Sequence, residues 1–174
     1  DEMIGQSAIK QKVSIAVQAA LQRGEAMPHC LLTSAGGGLG KTTLAGVLSN
    51  ELLVPLISTT GQCLATPYDL RNILVRIEPK AILLVDEFHG IGRYAAEELL
   101  IVLEEGVLNV TAGPAGGPIR IQVPPFTLCA ATTYPEAISA PLAQRFGLKF
   151  RFEFYSDKEV CQIVIGIFQR WSLE

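Results

Sequence analysis

The stretch TSAGGGLGKTT, Thr33 to Thr43, stands between an apolar run, HCLLTS (29–34), and a segment of helical periodicity, KTTLAGVLSNELL (41–53). A strand, a glycine-rich loop and a helix in that order constrain the fold more than any other feature of the chain. Backbone N–H groups of such a loop can converge on an anion, and the helix N-terminus behind them adds positive potential. Gly40, Lys41 and Thr42 fit the end of a phosphate-binding loop. In that pattern the lysine reaches the β- and γ-phosphates and the hydroxyl ligates Mg²⁺. Where the pattern should open with glycine the chain has Ala35, followed by Gly36 and Gly37. A methyl group there is costly, by about 1–2 kcal/mol, only if the residue needs a positive φ. The junction with a strand does not require one. The added glycines should raise the entropy of the empty loop. ATP or ADP with Mg²⁺ is therefore expected at Gly38, Leu39, Gly40, Lys41, Thr42 and Thr43.

A second run, AILLVDE (81–87), carries an apolar strand up to two acids. In a parallel α/β sheet the C-terminal ends of the strands are where ligands bind. Asp86 is expected to hold Mg²⁺, and Glu87 to orient and polarise an attacking water. Alone, two acids after a strand more often simply meet solvent. Together with the loop upstream they read as a nucleotide-hydrolysis site.

The remaining segments alternate in the same way. VPLIS (54–58), FTLCAATT (126–133) and LKFRFEFY (148–155) read as strands. Residues 6–23, 67–77, 93–106 and 157–170 read as helices, that at 93–106 closed by Gly106. Inner strands apolar on both sides suit a parallel sheet with helices on both faces. LNVTA and PIRIQV, around a glycine-rich turn within 108–125, alternate with period two and predict an inserted hairpin. At 174 residues, 49% apolar and 18% charged, the chain is the size of one ordinary domain. Its net charge of -3 does not advertise a nucleic-acid surface. No apolar run approaches the ~20 residues of a membrane helix, which points to a soluble, cytoplasmic protein. Cys30, Cys63, Cys129 and Cys161 form no C-x-x-C pair, and their apolar settings predict buried free thiols.

With both motifs in place the chain resembles the AAA+ ATPases, and among them it is similar to the RuvB family of Holliday-junction branch-migration motors. The resemblance rests on IGQ (4–6), AALQRGEAMPH (19–29), GLGKTTLA (38–45), DEFH (86–89), EELL (97–100), PPFTL (124–128), AATT (130–133), PLAQRFG (141–147) and FEFY (152–155). The loop and the acid pair mark only the superfamily; the run from PPFTL to FEFY is the more specific part. The resemblance implies an α/β P-loop NTPase fold with a five-stranded parallel sheet in the order 5-1-4-3-2. It implies that Thr133 is sensor 1, with Thr132 beside it, and that Arg145 is an arginine finger serving the adjacent subunit. Ile4 and the segment Met27–His29 would line the adenine pocket, and the 108–125 hairpin would meet a RuvA-like junction-binding partner. His29 and His89 read as structural.

Several positions depart from the family pattern: Gly90, Tyr134, Ala143 and Gln144 stand where relatives carry Arg, Arg, Arg and Asp, and Ala35-Gly36-Gly37 replaces Gly-Pro-Pro. By resemblance, residues 1–174 form the large ATPase domain of a hexameric ring, with the helical lid and a DNA-reading winged helix expected beyond Glu174. Branch migration is the leading expectation. A clamp-loader or helicase-loader ATPase and a non-hydrolysing nucleotide-binding scaffold are its rivals.

Overall fold

The computed structural model describes residues 3–111 and 117–171. Thirteen α-helices and β-strands of the described residues follow one another as α1 (Ser7–Arg23), β1 (Cys30–Ser34), α2 (Lys41–Leu52), β2 (Leu56–Thr60), α3 (Pro67–Leu74), β3 (Ile82–Asp86), α4 (Arg93–Glu105), β4 (Val107–Thr111), β5 (Pro118–Gln122), β6 (Thr127–Thr132), α5 (Ala140–Gln144), β7 (Leu148–Phe152) and α6 (Asp157–Trp171). Five strands form one parallel sheet in the order β2-β3-β6-β1-β7. Counted within that sheet, β6 is the fourth strand and β7 the fifth, so the order is the expected 5-1-4-3-2. β4 and β5 pair antiparallel as a separate two-stranded hairpin. The tip of that hairpin, residues 112–116, lies outside the described residues.

Alternation along β3 shows how the sheet is covered. Leu83 and Val85 pack into a cluster with Leu70, Leu74, Leu99 and Val102 from α3 and α4. Ile82 and Leu84 pack on the other face with Val13, Val17, Leu44 and Leu48 from α1 and α2. Each fully buried leucine contributes on the order of 1.5–3 kcal/mol, and both faces are closed this way. The central strands β3 and β6 are buried almost throughout, while the edge strand β2 alternates exposed and half-buried residues.

Local chemistry sets most element ends. Thr66 and Asp69 form a reciprocal capping box at the start of α3, with Pro67 in its first turn. Gly106 ends α4 in the left-handed conformation. Three elements differ by two residues or more from the sequence reading, and one of them, β7, ends at Phe152 rather than continuing to Tyr155. β2 starts two residues later than expected, because Leu53 closes α2 with φ 54 and the chain turns through Val54–Pro55 before pairing begins. α3 ends at Leu74 rather than continuing to Ile77, four residues before Glu78 of the helix-averse Glu78-Pro79 step.

The expectation of four buried thiols is corrected. Cys30 and Cys129, side by side on β1 and β6, are buried, and the Cys129 thiol together with burial pushes the Cys30 thiol up. Cys63 and Cys161 are exposed. Cys63 lies in the turn after the edge strand, and Cys161 on a helix that covers little of the sheet. No helix of the described residues is long and apolar enough to cross a membrane.

Candidate functional site

Lys41 opens α2 at the end of the glycine-rich loop. The helix starts without a side-chain cap and without an acid in its first turn, so neither competes for its free N–H groups. Gly40, at φ 94, precedes it; a Cβ there would stand 2.9 Å from the Tyr155 hydroxyl and 3.0 Å from the Met3 methyl. Both the backbone angle and the space require glycine. Ala35, Gly36 and Gly37 do not have positive φ. A Cβ on Gly37 would meet nothing within 4 Å, and one on Gly36 only the Phe154 ring at 3.8 Å. The irregular head of the loop is therefore unstrained.

All residues from Gly37 to Thr43 line a cavity of about 450 Å³, together with Asp86 and Glu87. That volume lies in the ordinary range for small-molecule sites, roughly 300–1,000 Å³. Thr42 Oγ1 stands 3.5 Å from Asp86 Oδ2, placing a hydroxyl and a carboxylate from two different elements on one point. A hard cation that keeps most of its waters, such as Mg²⁺, fits so sparse an oxygen set. Asp86 is steadied because its Oδ1 accepts the Glu87 N–H at 2.9 Å. Lys41 is buried, and its Nζ donates to Ser34 Oγ at 2.5 Å and to the Gly36 carbonyl at 3.4 Å. Its ammonium thus rests on the loop's own start.

Glu87 has left-handed backbone at φ 46. Behind it the chain is tightly packed: the Gly90 N–H donates to the Glu87 carbonyl at 2.8 Å, and a Cβ on Gly61 would fall 2.3 Å from that oxygen. Glycine at 61 lets the edge-strand turn press against the acid segment.

The other wall comes from the two ends of the chain. Met3 and Ile4 line the cavity, as do Tyr155, Ile163, Gly166 and Ile167. Gln6 joins these ends: its Nε2 donates to the Glu153 carbonyl at 2.7 Å and its Oε1 accepts the Glu153 N–H at 3.3 Å. Tyr155 donates to the Leu39 carbonyl at 3.0 Å, and burial pushes its phenol up, keeping it a donor. The Gln6 clamp explains why IGQ and FEFY, at opposite ends of the sequence, face each other. Tyr155 belongs to a motif already noted, but the α6 residues carry no sequence signal beyond helical spacing.

Not every expected residue is at this cavity. Met27 and His29 sit at the opposite edge of the sheet, since they precede β1 while the loop follows it. Met27 is buried, its carbonyl accepting from Thr127 Oγ1 at 2.9 Å, and His29 Nδ1 accepts the Leu128 N–H at 3.0 Å. Burial lowers the His29 pKa to about 4, so it stays neutral and structural. Thr133 lies just past β6 and is half-buried; Arg145 follows α5 and pairs with Glu104 of α4. Neither lines the cavity. His89 differs from a plain structural histidine: its Nδ1 stands 3.0 Å from Thr132 Oγ1 and 3.3 Å from Glu87 Oε2. Among the described residues no cluster of three or more His, Cys, Asp or Glu side chains could hold a metal.

Comparison with known proteins bears on the family and the fold. The Holliday junction branch migration complex subunit RuvB of Fusobacterium nucleatum is 42% identical over 167 residues, covering 95% of this chain and 50% of that protein. The same subunit of Synechococcus sp. is 44% identical over 168 residues, covering 95% and 46%. The chain thus spans about half the length of these curated relatives. Among solved structures, the Thermotoga maritima RuvB Holliday junction branch migration motor superposes with a TM-score of 0.80 at 35% identity, covering 92% of this chain and 49% of that one. A single-residue variant of that protein gives 0.85 at 36% identity, over 94% and 51%. The FIGL-1 AAA domain in complex with ADP, at 16% identity and a TM-score of 0.70, shows the fold alone. Residues 1–152 match the family model described as the Holliday junction DNA helicase RuvB P-loop domain, and the chain belongs to that family.

Proposed function

We propose that this chain binds Mg–ATP in the 450 Å³ cavity and hydrolyses it as the ATPase core of a RuvB-type ring that drives Holliday-junction branch migration. One observation carries the reading: Lys41, the Thr42–Asp86 pair and Glu87 converge on a single cavity under an uncapped helix N-terminus. On this reading the free N–H groups at the start of α2 receive the phosphates. Lys41 leaves Ser34 and Gly36 for the β- and γ-phosphate oxygens. Thr42 and Asp86 hold Mg²⁺, whose charge offsets that of the phosphates. Met3, Ile4, Tyr155, Ile163 and Ile167 supply the apolar wall for the base.

Glu87 aligns a water on the γ-phosphorus and takes its proton as the water oxygen bonds to phosphorus. The bond to the bridging oxygen breaks, leaving ADP and inorganic phosphate. Thr133 contacts the γ-phosphate or the water. Arg145 exchanges Glu104 for the γ-phosphate held by a neighbouring subunit, so hydrolysis depends on the hexameric ring. Such fingers contribute about 10³–10⁵ in rate where they are known.

Residues 1–174 act as the large ATPase domain of this cytoplasmic motor, with the hairpin insertion at 108–125 and the lid and winged-helix domains outside them. The β4–β5 hairpin, with Ile119 exposed, is the contact for a RuvA-like junction-binding partner. DNA is held mainly by the winged-helix domain, in keeping with a net charge of -3 here.

Lys41→Ala tests the site. Removing a charge-assisted phosphate contact should weaken ATP binding by roughly 1.5–3 kcal/mol, read by calorimetry. Unchanged affinity would refute the assignment. Glu87→Gln should bind ATP as the parent does and fail to turn it over.

A further inference from the structure

We propose that His89 is a positioning residue for Glu87, acting as one half of a two-place holder whose other half is the Thr132 hydroxyl. The proposal rests on the reading of Glu87 as the residue that polarises the attacking water.

One ring nitrogen faces both groups. His89 Nδ1 is 3.3 Å from Glu87 Oε2 and 3.0 Å from Thr132 Oγ1. Thr132 is fully buried, and its oxygen already accepts the Tyr134 N–H at 3.0 Å. The Tyr134 ring packs edge-on to the imidazole with centroids 4.9 Å apart, limiting how far the ring can turn. Glu87 lines the nucleotide cavity while its carboxylate oxygen lies beside His89, so it stands between the two.

The hydrogen inventory selects the tautomer. A carboxylate can only accept, so a bare Nδ1 lone pair at 3.3 Å from Glu87 would be repelled. With Glu87 beside it, Nδ1 carries the proton and donates. When Glu87 turns into the cavity toward a water on the γ-phosphate, that donor loses its carboxylate. The Thr132 hydroxyl has its own proton and can then donate to an Nδ1 that no longer carries one. The ring thus exchanges one partner for the other by changing tautomer, from Nδ1–H to Nε2–H. In both positions of Glu87 the imidazole Nδ1 keeps a partner.

Such an exchange lowers the cost of moving Glu87 and gives the carboxylate two defined positions rather than a broad distribution. A catalytic group misplaced by about 1 Å can cost ~10²-fold in rate.

The chain has only two histidines, which makes the ring nitrogens separable by magnetic resonance once His89→Asn identifies its signals. Long-range proton–nitrogen correlation at a pH of about 8, above the ordinary imidazole range, should show His89 as Nδ1–H in the nucleotide-free chain. Saturation with Mg²⁺ and a slowly hydrolysed ATP analogue should convert it to Nε2–H. An Nε2–H ring in the free chain, or no change at saturation, overturns the proposal.

Single-turnover hydrolysis, with the chain in excess over labelled ATP, supplies the second readout, since a slow rate is still measurable there. Thr132→Val should lower the saturating rate by up to ~10²-fold with nucleotide affinity unchanged, and Thr132→Ser should restore it. A parental rate in Thr132→Val overturns the proposal. Glu87→Gln separates the two levels: if it is silent while Thr132→Val is parental, only the His89 role falls. If Glu87→Gln hydrolyses at the parental rate, the assignment of Glu87 falls and this proposal with it.

Discussion

The two edges of the central sheet solve the same problem differently. At the edge where the strands begin, the half-buried His29 and the buried Thr127 are polar groups whose partners are backbone: the Leu128 N–H and the Met27 carbonyl. At the edge where they end, the buried Lys41 rests on a serine hydroxyl and a loop carbonyl, and Glu87 leans on a histidine. Backbone partners inside a sheet cannot leave without unfolding it. Side-chain and loop partners can be exchanged for a ligand. Buried polarity therefore serves stability at the first edge and binding at the second.

The largest expected effect concerns the first edge. Burial holds His29 at about 4 against an ordinary 6.5. The unfolded chain therefore binds a proton in that window that the folded chain does not, and stability falls as pH drops from 6.5 toward 4. It is fully present above 6.5. The loss is on the order of 3 kcal/mol, measurable by denaturant titration across that range. His29→Asn, whose amide oxygen can accept the same N–H, should flatten the dependence and leave ATP affinity at neutral pH unchanged. An equally steep profile in that variant would move the acid sensitivity elsewhere and break the contrast.

Next is Gly40→Ala. A left-handed φ of 94 and a Cβ 2.9 Å from the Tyr155 hydroxyl both oppose it. Stability should fall by about 1–2 kcal/mol from the backbone alone, and nucleotide binding should be lost with the loop's shape. Parental affinity by calorimetry would show that the loop does not need this conformation. The smallest effect is expected at the loop's head. Gly37→Ala, at an ordinary φ with open space around it, should stabilise the chain by roughly 0.4–1 kcal/mol by restricting the unfolded state. Thermal melts of the two alanine variants side by side would sharpen the distinction between glycines the site needs and glycines it tolerates.

How much of this could be read from residues depends on range. The phosphate loop, the acid pair and the strand–helix alternation are local in sequence, and periodicity or spacing reveals them. β3 buries alternate residues on two faces, as an apolar run must in a covered parallel sheet. The hairpin at 108–125 was equally legible, because period-two runs around glycines have few other solutions. The base-side wall was only partly so. Ile4 could be named, but Met27–His29 could not be excluded by sequence: proximity to the strand before the loop says nothing about which end of that strand a residue occupies once the sheet is built. Likewise, apolar character alone did not distinguish Cys30, deep between strands, from Cys63 at an edge-strand turn.

By itself, then, the sequence determined the fold class, the loop that can wrap phosphate and the acids aligned with it, since hydrogen-bonding and periodicity rules act over a few residues. Only the tertiary structure decided that Gln6 clamps Glu153 across 147 residues, that Tyr155 braces the loop at Leu39, and that one nitrogen of His89 lies between Glu87 and Thr132. Those contacts join segments distant in the chain, and their positions follow from how whole elements pack rather than from any local preference of the residues that make them.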